Sequence, residues 1–184
     1  MKSESNILKN AVFYLSGPME KAKDHGRGWR EDLIEKTQHL NIKLIDPTNK
    51  PSPDKRYHEE RAVLNKLKDN EMWDELTTFV KGFRRVDLRY TDLADAIIVY
   101  IDSSLYTVGT WDEVFTAERQ RKPILAIVKG GKKAMPAWLF AVIDYHNIFE
   151  SVDELVEHLE KLDNGQMPLD KKWVLIREFL TESK

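Results

Sequence analysis

Asp95-Ala96-Ile97-Ile98-Val99-Tyr100-Ile101, and after it Val108-Gly109-Thr110-Trp111-Asp112-Glu113, is the stretch whose reading decides the fold. From Ala96 to Ile101 there is no polar alternation, the signature of a strand covered on both faces of a parallel sheet. Such a strand needs helices on either side. Apolar residues at helical spacing supply one before it, with Trp29, Leu33, Ile34 and Leu40 on one face, and residues 110–120 supply another after it. Residues 12–15 are β-branched and aromatic and stop at Ser16-Gly17-Pro18, so they read as a buried strand ending in a tight turn. Residues 42–45 make a second strand, the Ala96 strand is the third, residues 123–128 the fourth, and residues 147–149 a brief fifth. Three prolines between Asp46 and Asp54 mark a loop. Residues 57–81 read as one or two helices, residues 86–93 as another, and residues 136–142 as a short one. Ser151-x-x-Glu154 is a capping box that opens a helix carrying Val152, Leu155, Val156 and Leu159, which Asp163-Asn164-Gly165 ends.

The alternation predicts an α/β fold: a flavodoxin/Rossmann-like open parallel sheet of about five strands with helices on both faces. Residues 1–162 are expected to form that domain, and residues 163–184 a linker and a C-terminal helix packing on it or on a partner subunit. The chain has 184 residues, enough to bury a core without a disulfide or metal, and with no Cys it has no disulfide framework or thiolate chemistry. Lys+Arg 29 against Asp+Glu 31 gives a net charge of -2, which argues against a nucleic-acid binder working through bulk phosphate attraction. The longest apolar runs fall far short of a membrane span, and the N-terminal segment does not read as a signal peptide. A cytoplasmic protein with no membrane partner is expected.

In open α/β sheets ligands lie beyond the carboxyl ends of the strands, where strand order reverses. Four segments reach that edge: Ser16-Gly17-Pro18, Asp46, residues 102–109 and residues 129–133. Glu113 has two readings. Thr110-x-x-Glu113 is a capping box in which the glutamate satisfies a backbone donor; alternatively, Glu113 is a carboxylate in the first helical turn, facing the crevice and able to attack an electron-poor carbon. Asp95 precedes the strand at the far end from the crevice, which favours a structural role, and Asp87 taken alone reads as a surface acid. Tyr14 belongs in the core, yet two residues before the turn its hydroxyl can reach the crevice. Lys129, Lys132 and Lys133 around Gly130-Gly131, and Gly26-Arg27-Gly28, are weak anion-site signals. The five His show no metal-ligand spacing, so no metal site and no cofactor are expected.

Three pieces in order and in register resemble the nucleoside 2-deoxyribosyltransferase superfamily, which includes nucleoside 5′-monophosphate N-glycosidases. Phe13-Tyr14-Leu15-Ser16-Gly17-Pro18 resembles its opening Y-L-[SA]-G-P; Asp87 followed by Asp95-Ala96-Ile97-Ile98-Val99 resembles its D-x7-D-hydrophobic strand; Gly109-Thr110-x-x-Glu113 with Ala117 resembles its glycine-to-nucleophile turn. The match runs from about residue 12 to residue 128. The resemblance implies that Glu113 is the nucleophile that attacks C1′ of a (deoxy)ribose, as in a retaining glycosidase. It implies that Asp87 helps the leaving base or holds the sugar, that Tyr14 stands beside the nucleophile, and that Ser16, Gly17 and Pro18 shape the pocket floor. Asp46, Gly109 and Thr110 are further expected substrate contacts. The partner so implied is a small-molecule nucleoside or nucleotide, and the family's habit of completing the pocket from a neighbouring subunit implies a homo-oligomer with a shared active site.

Departures qualify the substrate. Thr107 stands where nucleoside transferases carry an Asp and monophosphate hydrolases a Ser, so a nucleotide is one candidate substrate, with Thr107, Arg27 and Lys132 near its phosphate. Phe115 replaces the family's Gly two residues after the nucleophile, and residues 134–138 lack the polar residue that transferases place there; Met135 and Trp138 are expected in the core. Two further readings stand beside the enzyme: a nucleotide-binding or sensing module without turnover, and an interaction domain in which Glu113 is only a cap. A lysine-decarboxylase-like phosphoribohydrolase also uses a G-T-x-x-E turn, but this chain lacks the P-G-G that precedes it there.

Overall fold

The computed structural model describes residues 6–50 and 61–173. Five parallel strands, β1 (Val12–Ser16), β2 (Lys43–Ile45), β3 (Ala96–Ile101), β4 (Ile124–Val128) and β5 (Ile148–Phe149), form one sheet in the order β2-β1-β3-β4-β5. This is the expected architecture, with strand order reversing between β1 and β3, where Phe13 pairs with Ala96 and Ser16 with Val99.

Strand periodicity sorts the core into two layers. Phe13, Leu15, Ile98, Leu125 and Ile127 point to one face, where α1 (Gly28–Lys36) and α5 (Val152–Asp163) pack through Leu33, Leu155 and Leu159. Tyr14, Ile97, Val99, Ile124 and Ala126 point to the other, under Ala94, Val114 and Ala117. That second layer holds α3 (Trp73–Leu93) and α4 (Val108–Arg119), while α2 (Arg61–Asp69) packs against α3. Tyr14 and Ser16, two apart on β1, therefore share the α4 side of the sheet.

The segment expected as separate helices over residues 57–81 and 86–93 divides differently. After α2 and a turn at Asn70–Glu71, with Glu71 at φ 57°, one helix of 21 residues runs unbroken through Asp87. No proline or glycine other than Gly82 interrupts it, and that single glycine is tolerated. The Ser151 hydroxyl accepts from Glu154 N as a cap should, though the Glu154 side chain accepts from Glu150 N and not from the cap residue itself. Trp173 is buried, edge-on to Phe13 at 5.9 Å; the rest of the expected C-terminal helix, from residue 174, lies outside the described residues.

Asp95 has the structural role its position suggested. Its Oδ2 accepts from Val12 N at 2.8 Å while its own N–H donates to Val12 O, locking the start of β1 to the entry of β3. Asp95→Ala is expected to cost about 1 to 3 kcal/mol, because an inward-facing N–H loses its acceptor; urea unfolding measures the loss.

Candidate active site

The α4 helix begins earlier than a cap at Thr110 requires. Its N-cap is Thr107, so Glu113 lies in the second turn, and the reading of Glu113 as a capping-box partner or first-turn residue is corrected. Its carboxylate turns to the sheet. Tyr14 Oη donates to Oε1 at 2.8 Å and Ser16 Oγ donates to Oε2 at 2.5 Å, so the shared parity of those two β1 residues becomes a two-point clamp. Burial raises the Glu113 carboxyl to about 7; the nearby Asp87 charge adds to the rise, and the Ser16 and Tyr14 hydrogen bonds and the Arg30 charge oppose it. Burial first, and then the Glu113 charge, push the Tyr14 phenol well above its ordinary value, which keeps it a donor.

Glu113 opens onto a cavity of about 360 Å³ that Tyr14, Asp87 and Arg30 also line. Asp87 is not a surface acid. It is buried on the inner face of α3, and Lys50 Nζ lies 2.7 Å from its Oδ1 with a fully buried side chain. Arg30, wholly buried, donates to Leu15 O, Gly17 O and Gly26 O, and stands 3.6 Å from Asp46. Burial lowers its pKa, and Asp46 works against that fall. One guanidinium thus fixes the carbonyls of the turn that follows β1.

Of the residues expected at the site, Tyr14, Gly17, Pro18, Asp87, Thr107, Gly109, Thr110 and Glu113 line the cavity. Ser16 is buried behind Glu113 and touches it without facing the cavity. Asp46 is also set back: it caps the turn at Pro47–Asn49 by accepting from Thr48 N and serves Arg30. Arg27 is exposed, at the start of α1, and does not reach the cavity. The glycines beside it do not cradle an external anion, because Asp24 accepts from Gly26 N at 3.0 Å and Gly28 N at 2.8 Å. Gly26 is required for itself: at φ 73°, a Cβ there would stand 2.3 Å from Pro18 O.

Lys129 pairs with Asp102, whose carboxyl that hydrogen bond helps hold down to about 2, and Lys132 lies over the Tyr145 ring; neither lines the cavity. Phe115 packs against the core beside β3 and β4 and does not line the cavity. Met135 is buried as expected, but Trp138 is 79% exposed, contrary to its expected place in the core.

Arg30 and Lys50 escaped sequence reasoning. Arg30 carried a signal, since it shares a helical face with Leu33 and Thr37, where a surface arginine has no business. Lys50 carried none, sitting in a proline-rich loop whose course only the tertiary fold determines.

The fold and site define an α/β crevice protein with a desolvated carboxylate at the switch point of its sheet. More particularly, the chain has the fold of 2-deoxyribosyltransferases. It superposes on the enzyme of the psychrotolerant bacterium Bacillus psychrosaccharolyticus with TM-score 0.56 and 14% identity, covering 79% of this chain and 90% of that one. With the 2-deoxyribosyltransferase of Leishmania mexicana the TM-score is 0.54 and the identity 16%, over 82% and 97% of the two chains. No family model matches the sequence, and no curated protein matches it.

The raised Glu113 pKa has a stability consequence. The folded state binds this proton more tightly than the unfolded chain, so its contribution is complete below about pH 4.5 and is lost as pH rises through about 7. The difference is roughly 3 kcal/mol. Glu113→Gln removes the penalty while an amide still meets both hydroxyls. Thermal unfolding is expected to show the variant gaining on the wild type between pH 5 and pH 8; a constant difference across that range counts against the buried charge.

Proposed function

We propose that this protein is an enzyme that cleaves the N-glycosidic bond of a 2′-deoxynucleoside or its 5′-monophosphate through a covalent glycosyl-glutamate on Glu113, passing the sugar to another base or to water. The observation that carries this reading is the Glu113 carboxylate, clamped by two hydroxyls and facing the same cavity as Asp87. Oxocarbenium-like charge at C1′ is stabilised by a close carboxylate, which then bonds to it. The Tyr14 and Ser16 hydroxyls hold the plane of the carboxylate and so the direction of attack.

In the first half, a Glu113 oxygen bonds to C1′ as the C1′–N bond breaks; its electron pair stays on the base nitrogen, which takes a proton from water that Asp87 orients and relays. In the second, water or an acceptor base attacks C1′, its proton passes by way of Asp87 to water, and Glu113 leaves as the free carboxylate. Lys50 holds Asp87 from behind. The fold shared with two 2-deoxyribosyltransferases supports the reading.

For the monophosphate, Thr107 lines the cavity, but Arg27 and Lys132 do not. The remaining cations on the wall include Lys68 and Arg84, which are paired with Glu20 and Asp112. Deoxynucleosides and their monophosphates are therefore to be compared side by side.

Chromatography of such mixtures, with and without an acceptor base, is expected to show released or exchanged base, reduced at least a thousandfold by Glu113→Ala. Ligand binding without released base would instead establish a binding module. Because the nucleophile must be ionised, kcat/KM is expected to climb with pH through about 7. A profile flat from pH 5.5 to 8.5 would show Glu113 already ionised across that range, against the raised pKa.

A further inference from the structure

The ladder between β1 and β2 lacks a donor at one carbonyl, and a buried arginine takes its place. Lys43 N donates to Ala11 O at 2.8 Å, and Phe13 is paired with Leu44 and Tyr14 with Ile45. In a parallel pair every second residue of one strand donates to every second carbonyl of the other, so this register assigns Leu15 O to the N–H of residue 47. That residue is Pro47, which has none. Arg30 supplies the donors: Nε lies 3.2 Å and Nη2 3.1 Å from Leu15 O, Nη2 reaches Gly17 O at 3.3 Å, and Nη1 donates to Gly26 O at 2.6 Å. Leu15 stands between Tyr14 and Ser16, whose hydroxyls hold Glu113. The fork therefore grips the stretch of backbone that sets the spacing of the clamp.

Arg30 also brings a charge. The groups it donates to are neutral carbonyls, and Asp46 Oδ1, 3.6 Å from Nε, lies beyond hydrogen-bond range. A cation with no exposed surface, bonded by carbonyls and not closed off by a carboxylate in contact, keeps a field on the cavity it lines. Facing Glu113 are Tyr14 and Ser16 from β1, Asp87 from α3 with Lys50 behind it, and Arg30 from α1. Facing Arg30 are Asp46 after β2, Asp24 before α1, and Tyr14 and Glu113. Burial and the Asp87 charge carry the Glu113 carboxyl up to about 7, and the two hydroxyls and the Arg30 charge keep it from going higher.

We propose that Arg30 is a positioning residue for Glu113: its fork on Leu15 O keeps Tyr14 and Ser16 at their spacing, and its charge, partly offset by Asp46, favours the ionised carboxylate that attacks. This deepens the reading of Glu113 as the nucleophile and rests on it. Removing the cation makes ionisation harder, so Glu113 titrates at higher pH. Removing the Asp46 charge leaves the cation less opposed, so Glu113 titrates at lower pH. An arginine with a structural role alone gives no such opposed pair.

The test follows the Glu113 carboxyl by carbon-13 NMR of the full chain labelled at glutamate, its resonance identified by its loss in Glu113→Gln, beside the pH profile of kcat/KM for deoxynucleoside cleavage. The titration midpoint is expected about one pH unit above the wild type in Arg30→Gln and about half a unit below it in Asp46→Asn. Arg30→Lys keeps the charge and is expected within about 0.3 of the wild type, while loss of the fork lowers its kcat about tenfold with KM within about twofold. Asparagine still caps the Thr48 amide, so Asp46→Asn decides alone should Arg30→Gln not fold: a midpoint that falls supports the proposal and one that stays overturns it. Midpoints that move in the same direction in Arg30→Gln and Asp46→Asn, or an undiminished kcat in Arg30→Lys, also overturn it. The two readings fail separately. Released base with unmoved midpoints sinks only this inference, whereas opposed midpoints without any released base sink the enzymatic reading and leave the hold of Arg30 on Glu113.

Discussion

A carboxylate removed from water and held by two hydroxyls is the constraint from which the site takes its shape. Desolvation disfavours the charge on Glu113, and the hydrogen bonds from Tyr14 and Ser16 restore part of what is lost. The balance is possible only at the junction of β1 and β3. There, strand order reverses, the β1 backbone ends, and the two β1 side chains of one parity look up at α4. A one-residue slip of β1 would exchange Tyr14 and Ser16 for Phe13 and Leu15 and leave the acid with no donors. Asp95, which ties β1 to the start of β3, therefore guards the site from the far end of the sheet.

Arg30 performs the corresponding task on the other side of the turn. A buried guanidinium without partners would be ruinous, and here it meets carbonyls of Leu15, Gly17 and Gly26 and the charge of Asp46. The chain after β1 is thereby bent over the helix that follows, and only glycine fits at residue 26, where that helix approaches Pro18. Gly17 is less tightly confined, a Cβ there standing 3.1 Å from Trp29 and 3.3 Å from Tyr100. These glycines and the arginine are one construction.

Much of this was legible in the residues themselves. The apolar run from Ala96 to Ile101 gave the parallel sheet, since both faces of that strand are covered, and the Tyr14 to Pro18 segment gave the crevice. Glu113 was ambiguous for a physical reason: Thr110 and Glu113 have the spacing of a cap, and the helix escapes that reading only by starting at Val108. Arg27 was an attractive anion ligand by composition, but Asp24, three residues earlier, takes the amide groups its neighbours offer. Lys50 shows what local pattern does not contain. Its meeting with Asp87 joins a loop after β2 to the middle of a long helix, a contact that exists only once the sheet has brought both elements to the same edge.

The Asp24 side chain also shapes what any visitor to this end of the molecule encounters. It sits on Gly26 N and Gly28 N, the amide groups that open α1, as a tethered resident whose local concentration no dissolved competitor matches. The socket that many open-sheet proteins leave vacant for a phosphate comes here with its own permanent plug, and the helix dipole is spent on holding the chain's own turn. The beginning of α4 carries no such plug: a Cβ at Gly109 would meet nothing within 4 Å.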